Sequence, residues 1–258
     1  MISAISNMIG MYYNRPSLKA GIDYPDIPEW PKGYVPIAVH TVDDETDHIG
    51  NPDAICKRQK WLLKQIRQTP EYKKLLSDNQ DLLATLTQKC GMHVDFENLW
   101  KIRDVLFIEK VHNKERNIDD EMFERIDDVN SHVENYENGL NLSKYNGINF
   151  RVEMPKIRGG NILWAMLDHV DLKIHCQEPK YAKKRYCNWA NKIKYYAYSA
   201  HDTTVAALMA TWGAKLKVIP LGYPLYSAAI ILELWKTSDG YKIQVIASTV
   251  SICSTVSC

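Results

Sequence analysis

No apolar run in the 258 residues approaches the roughly 20 that span a bilayer, so nothing in the sequence reads as a membrane anchor. The opening residues lack a charged stretch followed by an apolar one and a small-residue cleavage site, so no signal peptide is legible in them. An excess of one charge is missing too. Lys+Arg number 32 and Asp+Glu 31, a formal net charge of +1, and the basic residues are dispersed, which argues against nucleic acid as a partner. The cluster Lys180, Lys183, Lys184 and Arg185 reads as a solvated face. No C-x-x-C pair occurs, so the six cysteines (Cys56, Cys90, Cys176, Cys187, Cys253 and Cys258) have no metal-finger pattern, and their number alone fixes no compartment. Neither internal repeats nor low-complexity segments stand out. What is present, 45% hydrophobic and 24% charged residues, is an ordinary globular composition, enough for one large domain or a domain with an insertion.

Taken in order, residues 1–13 read as a helix that ends before Pro16. Prolines 25, 28 and 31 then forbid a regular ladder and favour an extended surface loop. Residues 35–42 alternate as a short strand containing His40, to which no catalytic role is assigned. From about Cys56 to Leu140 the periodicity is helical: residues 59–66, a break and restart at Thr69-Pro70, a stretch from Tyr72 to Gly91 with Leu75, Leu76, Leu82, Leu83 and Leu86 on its apolar side, then residues 98–112 and a heavily charged run at 119–138. Gly159 and Gly160 precede an apolar helix beginning at Asn161. Asp168, His169, Asp171, His175 and Cys176 invite a metal, but His169 and His175, six apart, share no helix face and no ligand spacing is met. Residues 227–235 and 241–246 flank Thr237-Ser238-Asp239-Gly240, whose Asp-Gly pair marks a β-hairpin. A tail rich in serine and threonine closes the chain from Ser248 to Cys258.

The stretch of greatest interest lies between. Residues 195–199 are aromatic and suit a strand, residues 204–212 suit a helix, and Gly213 is placed to end it. The junction holds His201, Asp202, Thr203 and Thr204. Two readings stay open: Asp202 or Thr203 is an N-cap and the histidine is scaffolding, or the outward N–H groups and the helix dipole seat a phosphate there.

The string Tyr198-Ser199-Ala200-His201-Asp202-Thr203-Thr204-Val205-Ala206-Ala207-Leu208 resembles the C-terminal signature of the histidine acid phosphatases, branch 2 of the histidine phosphatase superfamily. Ser3-Ala4-Ile5-Ser6-Asn7-Met8-Ile9-Gly10-Met11-Tyr12, Pro36-Ile37-Ala38-Val39-His40-Thr41-Val42, Arg158-Gly159-Gly160 and the run from Leu221 to Trp235 follow the same family in order. Similarity extends from about Ser3 to Val245 and is nearest to invertebrate, nematode-like members.

That resemblance implies an α/β fold, a histidine-phosphatase-like core sheet with flanking helices and an inserted helical cap. Residues 1–55 would be the first part of the core, 56–146 the cap and 147–258 the second part of the core. It implies hydrolysis of small phosphate monoesters through a phosphohistidine, without metal or other cofactor. By position His201 would hold phosphate and Asp202 would protonate the leaving group, which must be done from the acid form and so implies an acidic optimum. A secreted or lysosomal habit is implied as well, with which a local disulfide between Cys176 and Cys187 and the sequon Asn141-Leu142-Ser143 agree. It also admits a homodimer.

One departure is decisive. The family's nucleophile lies in an R-H-G-x-R-x-P loop, and no such string occurs in this chain, which resembles a member lacking its first third. The expectation is therefore negligible turnover and, with the first core strand absent, marginal stability or aggregation. A non-catalytic secreted binding protein that kept the fold is the alternative.

Overall fold

The computed structural model describes residues 2–114 and 117–248. Its architecture is mixed α/β, with helices predominating and a small sheet at the C-terminal end.

The helices form where sequence supplies both an apolar stripe and a start signal. Helix α1 spans Ile2–Tyr12 and buries only Ala4. After a long irregular passage come α2 (Lys57–Ile66) and α3 (Pro70–Asp78). The latter opens on Thr69, whose hydroxyl accepts from the Tyr72 N–H, with Pro70 at the first helical position where no donor is lost. The apolar stretch ending at Gly91, expected as one helix, is two: α3 stops and α4 (Gln80–Cys90) starts at Asn79. There the Asn79 amide donates to the Leu75 carbonyl and its Oδ1 accepts from Arg125, while the same guanidinium grips Asp81. A side chain that competes for backbone partners has broken the helix, as asparagine does.

Helix α5 (Leu99–Val111) and α6 (Asp120–Glu137) follow the charged run as expected, α6 being capped by Asp119 through the Met122 N–H. These helices and α7 (Phe150–Arg158) enclose the main core, in which Leu62, Ile66, Leu86, Leu99, Ile126, Phe150 and Met154 are fully buried. The core thus joins residues on both sides of position 146.

Helix α8 (Gly160–His175) runs well beyond its expected apolar start. Cys176, at its end, is disulfide-bonded to Cys187 of α9 (Arg185–Lys192). Lys173 Nζ donates to the carbonyls of Ala190 (2.8 Å), Asn191 (3.0 Å) and Ile193 (2.8 Å), which stops α9 and aims the chain at the next segment. His169 stacks against Tyr196 and His175 against Tyr181, so both rings belong to aromatic packing.

Helix α10 (Asp202–Thr211) and the short α11 (Lys215–Val218) lead to strands β1 (Ala229–Thr237) and β2 (Gly240–Ser248). The strands pair antiparallel, Thr237 opposite Gly240 and Ala229 opposite Ser248, so the Asp-Gly turn forms the expected hairpin.

Two expected strands are not formed. Residues 35–42 and 195–199 carry no strand assignment, and the hairpin is the sheet among the described residues. An alternating or aromatic pattern makes a strand only when a neighbour accepts its ladder, and among the described residues neither segment is paired with another strand. The tail from residue 249 on, with Cys253 and Cys258, lies outside the described residues, as does Met1; Cys56 and Cys90 are free thiols.

Candidate functional site

Helix α10 carries the His201-Asp202 pair, and its placement follows from three contacts. The Thr204 hydroxyl donates to the Gly50 carbonyl at 2.6 Å, tying the first turn to the loop before α2. Thr211 Oγ1 donates to the Pro155 carbonyl at 3.0 Å, tying the last turn to α7. Between them Gly159 lies flat against the helix, and Ala206, Ala207 and Ala210 are small enough to admit it. Thr204→Val should keep the helix and free the loop, at a cost of about 1 kcal/mol readable as a lowered thermal midpoint.

His201 is the N-cap residue by backbone conformation (φ −83, ψ 161), and its ring makes no hydrogen bond to the described residues. The Asp202 carboxylate accepts from the Thr203 N–H at 2.8 Å, across the first helical amides. Both side chains are exposed. The expected cap is not formed: the N-cap position belongs to His201, not to Asp202 or Thr203, and no side-chain cap bond is made there, while the histidine ring faces solvent.

Beneath the first turn lies a polar interior that sequence reasoning passed over. Arg158, named only within its Arg-Gly-Gly motif, is buried and pairs with Asp53 while its Nε donates to Asn138. Glu134 is 3% exposed; its Oε1 accepts from Asn130 at 2.6 Å and its Oε2 has no partner. Burial, opposed by Lys215 and Arg103 and aided by Asp202 and Glu137, pushes its carboxyl from an ordinary 4.5 up to about 9. Burial raises Glu137 as well, against the pull of Arg158. Lys215, 1% exposed, is lowered by the same loss of water, against the attraction of Glu134. A signal for Glu134 existed. Phe123, Ile126, Asn130, Val133 and Glu137 recur at helical spacing, and Glu134 sits on that stripe within a heavily charged run.

Residues 1–248 match the model of the histidine phosphatase superfamily (branch 2), and the chain belongs to that family. It is 24% identical over 256 residues to "Putative acid phosphatase 10" of Caenorhabditis elegans, covering 94% of this chain and 61% of that one. Against the lysosomal acid phosphatase of Xenopus laevis it is 26% identical over 253 residues (93% and 49% covered), and against the prostatic acid phosphatase of Homo sapiens 29% over 214 (81% and 49%). The chain spans 49–61% of the length of these relatives. Among the described residues no helix is long and apolar enough to cross a membrane.

Proposed function

We propose that this chain is the phosphate-holding and proton-donating part of an acid phosphatase. Such an enzyme hydrolyses small phosphate monoesters: a histidine attacks phosphorus, the ester oxygen departs with a proton, and water then releases phosphate from the phosphohistidine. His201 in its protonated form supplies positive charge and an N–H to the phosphoryl oxygens, joined by the helix start. Asp202 gives its proton to the leaving oxygen. The attacking histidine and its arginines belong to an R-H-G-x-R-x-P loop that these 258 residues do not contain, so turnover by this chain alone is negligible.

The observation that carries the reading is the exposed, unpartnered ring of His201 at the head of α10. The relatives' names support the reaction class, and those called lysosomal support a secreted or lysosomal setting. In that setting Asn141, exposed on the loop after α6, carries an N-linked glycan, and the protein works on soluble phosphate esters, alone or as a homodimer. By this reading residues 1–55 and 147–258 correspond to the family's core and 56–146 to its inserted cap. The absence of the nucleophile motif equally favours a non-catalytic secreted binding protein, and reading the coding sequence upstream of Met1 for that motif separates the two.

The test is a titration with inorganic phosphate at acidic pH, followed by NMR of the histidine rings, beside an assay with a chromogenic phosphate ester. The His201 signals should move and saturate, Asp202→Asn should retain binding, and ester turnover should stay at background. Unmoved His201 signals under saturating phosphate would remove the site. Turnover at an ordinary phosphatase rate would refute the account of the missing nucleophile.

A further inference from the structure

Between Pro179 and His201 the chain holds six Lys or Arg residues and no Asp or Glu, although its total charge is only +1. Most of that charge is carried by α9 and its flanks. Cys187 and Ala190 are buried, and helical spacing therefore turns Arg185, Trp189 and Lys192 outward on one ridge, whose ends lie roughly 10 Å apart at 1.5 Å per residue. Lys183 and Lys184 lead into this ridge and Lys194 leaves it. All five cations are exposed, and among the described residues no ion pair or side-chain hydrogen bond engages any of them. Lys184 is the N-cap residue and Arg185 the first of the helix, where the positive end of the helix dipole repels a cation. A merely solvated helix start would be served better by acidic residues.

The ridge is held firmly. Cys187 is disulfide-bonded to Cys176, Lys173 Nζ binds three carbonyls at the helix end, and Asn191 Oδ1 accepts from Gln177 at 2.8 Å. Beside it runs an aromatic strip: the Trp189 ring lies 6.2 Å from that of His169, which lies 3.9 Å from that of Tyr196. Trp189 and Tyr196 nevertheless remain 50% and 49% exposed. The carboxylates next in sequence are paired or turned aside. Glu178 pairs with Lys180, while Asp168 and Asp171 lie off the stripe of His169, Lys173 and Cys176 by which α8 meets α9.

We infer that this face of α9 docks an acidic polysaccharide, with its sulfate or carboxylate groups on the cations and the faces of its sugar rings on Trp189 and Tyr196. A linear polyanion matches a ridge one helix wide along which charges recur. The electron-rich faces of the aromatic rings take the polarised C–H groups of a sugar, and the fork of Arg185 takes two oxygens of one anionic group. An anionic bilayer fits less well, because it rewards apolar side chains that project past the charges, and here Cys187 and Ala190 point inward. Single-stranded nucleic acid would use the same cations and rings, but the disulfide that holds the ridge belongs to oxidising compartments, away from such a partner. Nothing in this docking face depends on the His201-Asp202 corner.

The experiment titrates the full chain with a heparin octasaccharide at several salt concentrations, beside two double variants that remove the same charge. Arg185→Gln with Lys192→Gln should weaken binding at least about tenfold and flatten the dependence of affinity on salt, because fewer counterions are released. Lys60→Gln with Lys64→Gln, exposed on α2, should change the affinity by about twofold at most. Trp189→Leu should weaken binding and leave the salt slope as it was, which separates stacking from charge. Thermal melts check that each variant is folded at the temperature of the titration. Equal losses from the two double variants would mean that heparin answers to net charge alone, and the docking face would be refuted. It would be refuted as well if phosphatidylserine vesicles or a single-stranded oligonucleotide bound more tightly than the octasaccharide at the same salt and with the same dependence on Arg185 and Lys192.

Discussion

Gly159→Ala is expected to destabilise the protein by about 3 kcal/mol, the upper part of the range for overpacking a close contact, and Gly160→Ala to change it little. The two glycines are neighbours in one motif but meet different surroundings. A methyl group on Gly159 would stand 2.3 Å from the Ala207 carbonyl oxygen and 2.3 Å from Thr211 Oγ1, and the first of these is backbone and cannot swing aside. On Gly160 the nearest atom is the Pro155 carbonyl oxygen at 3.9 Å, an ordinary contact. Gly159 has φ −113, a conformation open to any residue, so the penalty is steric and owes nothing to backbone strain. Paired thermal or urea melts read the contrast directly. Equal midpoints for the two variants would mean that α7 and α10 are not seated as described.

Glu134→Gln should make the protein more stable at neutral pH and nearly unaltered in acid. Folding lifts this carboxyl from 4.5 to about 9. A raised folded value means that the stability associated with the group is fully present below 4.5 and is lost as pH climbs toward 9, because over that interval the unfolded chain gives up a proton that the folded chain keeps. At pH 7 the difference amounts to about 3 kcal/mol, taking 1.36 kcal/mol per pH unit. Glutamine keeps the bond from Asn130 and carries no proton to lose. The wild-type urea midpoint should therefore fall between pH 5 and pH 8 more steeply than that of the variant. Parallel profiles would show that Glu134 is ionised in the folded protein and that its neighbours tolerate the charge.

Helices α3 and α6 were legible because each announces itself twice, by an apolar stripe and by a cap, Thr69-Pro70 and Asp119. The hairpin was legible for a similar reason, since Asp239-Gly240 fixes the turn and the alternation fixes the faces. The break at Asn79 was not, because it depends on Arg125, which is remote in sequence and near in space. Residues 35–42 and 195–199 have strand-like patterns, but a strand is a property of a pair. Of the candidate site, the sequence displayed the His201-Asp202 corner and hid its supports. The Thr204 bond to Gly50 and the flat contact of Gly159 both join residues at least 48 positions apart, a distance over which spacing carries no information.

Lys173 has one further consequence. Its ammonium has three protons and gives each to a different carbonyl at the end of α9. A lysine so occupied has nothing left for a dianion at the head of α10. Cationic help for such a guest has to come from groups with protons to spare, and an amine-directed reagent would find Lys180, Lys183 and Lys184 well before it found this one.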